Sequence, residues 1–183
     1  MDEDILMQRA VNGDVAAFGT LVKAHQQRLV RFAVRILSDR ERAEDAVQEA
    51  FVRLWRTGTH YRPQGQLGCF LLRIVRNVCL DITRTSGAAL PLEQAENLPA
   101  PGASLQQQVE TQAMAEAVRK AVQALPEPQR AVFVLSQYEG LSYMEIAQVL
   151  DCPVGTVASR KRLAVEALQR KLSGWMEGEG RAR

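Results

Sequence analysis

Aromatic residues are scarce in this chain, at 5% of 183 residues. Sheets lean on such side chains, so their scarcity, beside many Ala, Leu, Gln, Arg and Glu, favours helices over strands. Cysteine and histidine are scarce too. Cys69, Cys79 and Cys152 lie far apart with no CxxC, and His25 and His60 are isolated. This spacing argues against a zinc site or a disulfide framework and fits a reducing cytoplasm. Each cysteine is expected to be a buried small hydrophobe. No apolar run approaches the ~20 residues that span a bilayer. The acidic opening MDEDILMQRA also lacks the apolar stretch of a signal peptide. The expectation is a soluble cytoplasmic protein that makes no membrane contact. Net charge is nearly absent as well, at +2, so any surface for a polyanion has to be local.

What is present is apolar periodicity. With 46% hydrophobic residues the chain can build real cores in one or two domains. From Asp14 to Leu37, apolar positions recur at helical steps: Phe18, Leu21, Val22, His25, Leu29, Phe32, Ala33 and Ile36. Asp14 is a plausible N-cap, and His25 on this stripe reads as core. A second helix buries Ala43, Ala46, Val47, Ala50, Phe51 and Leu54, and shows Asp45, Gln48 and Glu49 on its outer face. The stretch TGTHYRPQGQ (57–66) reads as a loop. A third helix runs from about Leu67 to Arg84, with Phe70, Leu71, Ile74, Val75 and Val78 inward. Periodicity stops across SGAALPLEQAENLPAPGAS, a proline-rich stretch read as a flexible linker. It resumes at Val109, breaks at LPEPQ, and continues to the end. The fold class expected is all-α: a helical domain over 1–86, a linker over 87–108, and a second helical domain over 109–183.

The second half carries the clearest motif. In LSYMEIAQVLDCPVGTVASRKR, Ser142 caps a helix with Ile146 and Leu150 facing inward, and a short break leads into another helix. Ala147 supplies a small contact, and Val157 lies ten residues later, the spacing of a helix-turn-helix, although Asp151 stands where many such turns place Gly. At about 100° per residue, Ala164 and Leu168 share the Val157 face while Ser159 and Arg162 point away and Arg160 and Lys161 flank them. Cys152–Leu172 holds five basic residues and one acid, a local charge of +4. Arginine can bind guanine bidentately, and a helix N-terminus near Thr156 favours an anion. Thr156, Ser159, Arg160, Lys161 and Arg162 are therefore candidate DNA contacts.

A weaker candidate surface lies in the first half. Arg73, Arg76, Asn77, Leu80 and Arg84 form a stripe opposite the apolar face, next to His60, Tyr61 and Arg62 in the loop. Such a set suits phosphate and base-edge contact and stacking on an unpaired base. The Asp45, Gln48 and Glu49 face lacks the pocket and desolvation of a catalytic carboxylate pair, so protein docking fits it better. No glycine-rich phosphate loop, nucleophile elbow or metal cluster is present, and no enzyme activity, cofactor, metal or small-molecule substrate is expected.

RAEDAVQEAFVRLW (42–55), FLLRIVRNVCLD (70–81) and LPEPQRAVFVLSQYEGLSYMEIAQVLDCPVGTVASRKR (125–162) resemble the extracytoplasmic-function sigma factors of the sigma-70 family, and DILMQRAVNGDVAAF resembles that family's N-terminal helix. The resemblance implies a region 2-like domain and a region 4-like domain. Asp45, Gln48 and Glu49 would dock on the clamp coiled coil of the core RNA polymerase β′ subunit. The 57–66 loop and the helix bearing Asn77 would capture and melt the promoter −10 element. The Ser159–Arg162 helix would read the −35 element while its domain meets the β flap. The resemblance also implies an anti-sigma factor as partner. Ala158, Leu163 and Val165 depart from the family, which often has basic residues in this helix. A stand-alone helix-turn-helix regulator with an N-terminal interaction domain is the alternative; a helical adaptor without nucleic acid leaves the +4 segment unexplained.

Overall fold

The computed structural model describes residues 2–58, 61–62, 65–86 and 105–179, the backbone alone for 86, 105–111 and 174–179. Among these residues there are eight helices and no strand: α1 Glu3–Val11, α2 Val15–Leu37, α3 Arg40–Thr57, α4 Leu67–Ser86, α5 Leu105–Gln123, α6 Glu127–Gln137, α7 Tyr143–Leu150 and α8 Val154–Glu179.

Local chemistry sets the helix starts. Asp2, Asp14 and Asp39 cap α1, α2 and α3, each side chain accepting a backbone amide of the first turn. The Ala17 amide, foremost, and the Arg9 guanidinium hold the Asp14 carboxyl below its ordinary pKa. Pro126 precedes α6, where its missing N–H is not needed. α5 begins at Leu105, four residues ahead of the apolar pattern. LQQQ has no periodic apolar face, yet leucine and glutamine are good helix formers.

In the first half α2, α3 and α4 pack on one another and α1 lies across α2. The expected inward sets are buried for α3 in full, and for α2 at Leu21, His25, Leu29, Phe32, Ala33 and Ile36. Phe18 and Val22 are half-buried, as are Phe70 and Ile74 on α4. Gly58 closes α3 against α1, where a Cβ would sit 2.5 Å from the Met7 terminal methyl. Of the three thiols only Cys79 is fully buried, and burial pushes its pKa up to about 12. Cys69 and Cys152 are half-buried, which corrects the expectation for them. In the second half α8 packs on α5, α6 and α7 around Ala131, Val132, Leu135, Ile146, Val157 and Ala164.

The two halves also touch. α2 meets α6, and α4 meets α7. Three arginines of the first half reach groups of the second. Arg28 donates to the Glu139 carboxylate at 2.7 Å, the Arg35 guanidinium stacks 4.2 Å from the Tyr138 ring centre, and Arg76 meets Glu127 at 3.4 Å. Glu139 is almost sealed, its side chain 5% exposed, whereas Arg28 keeps 36%. Gly68 lies under Arg28, a Cβ position there being 3.1 Å from the guanidinium. A buried carboxylate stripped of its partner is costly, on the order of several kcal/mol. Arg28→Ala is therefore expected to open the seam, because rehydrating Glu139 this way leaves both halves folded. Small-angle scattering should then show a radius of gyration above the ~16 Å of a compact chain this long, with helical circular dichroism unchanged. An unchanged radius would show that the apolar contacts hold the seam without this pair.

Candidate nucleic-acid interface

α7 starts at a capping box. The Ser142 hydroxyl accepts from the Glu145 amide, and the Glu145 carboxylate accepts from the Ser142 amide at 2.8 Å. The Ser142 hydroxyl, which donates to that carboxylate, does most to hold the Glu145 carboxyl below its ordinary pKa. Asp151 ends α7 in the left-handed region, φ 51°, with its amide donating to Ala147. Glycine adopts this conformation freely; aspartate is one of the few other residues that tolerate it. The turn that needed glycine by pattern is thus made by a short polar side chain. Past Pro153, α8 runs with Val157, Ala164 and Leu168 in the core beside Ile146, Val149 and Leu150.

The outer side of α8 exposes Gly155, Ala158, Ser159, Arg162, Leu163 and Glu166. Arg162 donates to Glu166 at 2.6 Å, one turn along. Its two basic neighbours behave differently. Lys161 Nζ donates to Ser136 Oγ on α6 at 2.9 Å and lies 4.7 Å from the Phe133 ring centre. Desolvation lowers its pKa. Position 161 follows Val157 by four residues, so its stem lies on the inward side and the amine reaches across to the domain's own surface. Arg160 is half-buried with its guanidinium 3.8 Å from Cys152 Sγ. Thr156 is half-buried in the first turn, its carbonyl accepting from the Ser159 hydroxyl at 3.0 Å. The expected set thus divides: Ser159 and Arg162 share the open face, while Arg160, Lys161 and Thr156 sit at its margins or behind it.

In the first half, α4 exposes Arg73, Asn77 and Arg84, with Leu80 half-buried. Arg76 lies in the seam on Glu127, its side chain 16% exposed, so in this arrangement it is not on the open stripe. Tyr61 packs its ring 5.3 Å from that of Phe70, and its hydroxyl donates to Asp4 on α1. The other Asp4 oxygen accepts the Gly65 amide at 2.8 Å. Asp4 thereby pins both sides of the loop. Nothing local in the sequence links Asp4 to residues 57 and 61 positions away. Arg62 is exposed; His60 lies outside the described residues.

On α3, Asp45, Gln48 and Glu49 are all exposed. Glu49 accepts from Arg53 at 2.8 Å, and Arg53 also reaches Asp81 on α4 at 3.2 Å. The Glu49 carboxylate, foremost, raises the Arg53 pKa. Val52, 43% exposed, continues the face one turn further at i+3 from Glu49. It was legible in the helical spacing, though a lone valine carries no chemical flag.

Comparison with known proteins agrees with the all-helical fold. The family described as Sigma-70 region 2 matches residues 21–88, and Sigma-70, region 4 matches residues 115–168. An RNA polymerase sigma-H factor of Pseudomonas aeruginosa is 33% identical, over 91% of this chain and 92% of that protein. An ECF RNA polymerase sigma-E factor of Escherichia coli is 30% identical, over 94% of this chain and 95% of its own length. The chain belongs to the extracytoplasmic-function group of the sigma-70 family. Two solved structures share the fold. One, a sigma factor RpoE bound to the anti-sigma factor NepR from Bartonella quintana, has a TM-score of 0.68 and 26% identity, covering 87% of this chain and 98% of that one. The other, CnrH with the cytosolic domain of CnrY, has a TM-score of 0.71 and 25% identity, covering 95% and 99%. This sigma factor is thus a transcription initiation factor, and the family implies core RNA polymerase and promoter DNA as its partners. No described helix is long and apolar enough to cross a membrane.

The split within the basic run is testable. With core polymerase at limiting concentration, Arg162→Ala should lower promoter-dependent initiation about tenfold, the size of one lost bidentate base contact. Lys161→Met, which keeps the stem and drops the charge, should stay within about twofold, since the amine faces Ser136. Equal losses in runoff assays would put Lys161 on the DNA.

Proposed function

We propose that this sigma factor holds a promoter by two separate grips and docks on polymerase through a third surface. Ser159 and Arg162 on α8 read the −35 duplex in the major groove, with Thr156 and Arg160 at the margin toward phosphate. Asn77 on α4, flanked by Arg73 and Arg84, captures the −10 element together with Tyr61, Arg62 and His60 of the loop and holds a base once the duplex opens. Asp45, Gln48 and Glu49 take the clamp coiled coil of the β′ subunit, and the region 4-like domain meets the β flap. The protein acts in the cytoplasm, catalyses no reaction itself, needs no cofactor or metal, and is held in check by an anti-sigma factor. The complex of a structural relative, the sigma factor RpoE, with the anti-sigma factor NepR supports that last point.

The observation that carries this reading is the pairing of two exposed polar helix faces, one in each domain, with an acidic face on α3 that Arg53 links to Asp81 of α4. Distance adds a constraint. Elements centred 25 base pairs apart are separated by about 85 Å at ~3.4 Å per pair, far beyond a compact chain with a radius of gyration near 16 Å. The seam must therefore part before both grips engage one promoter, which also frees Arg76 from Glu127 to join Asn77.

Purified protein and core polymerase, given a promoter library, should yield specific runoff transcripts only when both are present. In the same assay Asn77→Ala should impair the −10 step about tenfold, and duplex binding by the chain alone should be weak. Absence of any association with core polymerase would sink the proposal, and tight sequence-specific binding without polymerase would favour a stand-alone regulator.

A further inference from the structure

The open face of α8 is more apolar than a DNA-facing helix with a local charge of +4 leads one to expect. Arg162 is the exposed cation of the Arg160–Arg162 run, because Lys161 is turned to Ser136 and Arg160 is drawn toward Cys152. Around Arg162 the face is built from two rows at i, i+4 spacing: Val154–Ala158–Arg162 and Gly155–Ser159–Leu163. Val154 is 44% exposed and Leu163 41%, and neither joins the hydrophobic core. A single exposed leucine is ordinary on a protein surface. This one stands beside Ser159 and Arg162 on the helix that follows the turn of a helix-turn-helix, where side chains meet base edges.

In the major groove only thymine offers an apolar group, its C5-methyl, and apolar side chains are its natural contacts. We propose that Leu163 and Ala158 are specificity-determining residues that read thymine methyl groups in the −35 element, on either side of a guanine held by Arg162. The methyl reading rests on the promoter-binding role proposed above and adds to it the class of base recognised. Glu166 holds the Arg162 guanidinium at 2.6 Å and so fixes which base lies between the two apolar contacts. The affinity surrendered by presenting one cation where three stand in sequence is made up by the polymerase-docking face, so the α8 contacts can select bases without supplying most of the binding.

The test replaces thymine by 2′-deoxyuridine, one position at a time, in the −35 duplex of a promoter selected by the holoenzyme. Base pairing is kept and one methyl is lost. Initiation at limiting holoenzyme should fall about fourfold at one or two positions, the worth of one buried methyl, and not at spacer thymines. The Leu163→Ala variant, a change outside the core, should initiate correspondingly less well on the thymine template and be insensitive to uracil at one of those positions. Holoenzyme that initiates normally and tolerates every uracil overturns the methyl reading while leaving the promoter-binding role intact. So does a Leu163→Ala variant that keeps the full uracil sensitivity. A chain that directs no initiation from any template overturns both.

Discussion

A carboxylate removed from water has to be paired, and Arg28 pairs Glu139 in the seam where α2 meets α6 and α4 meets α7. The consequences spread outward from that contact. Arg76 is committed to Glu127 and Arg35 to Tyr138, so three first-domain arginines serve the seam in the compact form. The same contacts bring α4 and α8, the helices proposed to grip DNA, into one body too small to reach two promoter elements. Each of these pairs is polar and keeps some solvent access, which makes the seam exchangeable: water can replace either partner, and an anion such as phosphate can replace the carboxylate on an arginine. A purely apolar seam of equal area would not open so readily.

Within each domain, rigidity is set by apolar burial and by caps, and function sits on what those leave exposed. α8 is held by Val157, Ala164 and Leu168, and this register decides which members of the basic run face outward. Arg162 does, beside Ser159; Lys161 becomes part of the scaffold. On α4 the core residues Leu71, Val75 and Val78 leave Arg73, Asn77 and Arg84 outside. Asp4 fixes the loop beside them through Tyr61 and Gly65, so that Arg62 projects from an anchored turn.

Much of this was legible in the residues. The inward set of α3 follows from spacing alone, because apolar residues recur at helical steps and most of the others are charged. The helix-turn-helix was legible because turn, lock and capping residues agree. Other features were hidden for identifiable reasons. Lys161 and Arg76 look like surface cations by type, and only the tertiary arrangement supplies Ser136 and Glu127 as partners. The role of Asp4 depends on a contact across 57 residues. Cys69 and Cys152 fall at the edges of cores whose extent a local pattern does not define. The early start of α5 rests on glutamine propensity without an apolar face.

The central claim is that this chain opens promoter DNA only as part of a polymerase complex. Permanganate footprinting of a selected promoter tests it most directly, because permanganate oxidises unpaired thymines. Reactive thymines are predicted over and just downstream of the −10 element when the chain and core polymerase are both present, and with neither alone. A complex that forms and protects the promoter yet leaves every thymine unreactive would contradict the account, as would melting by the chain without polymerase.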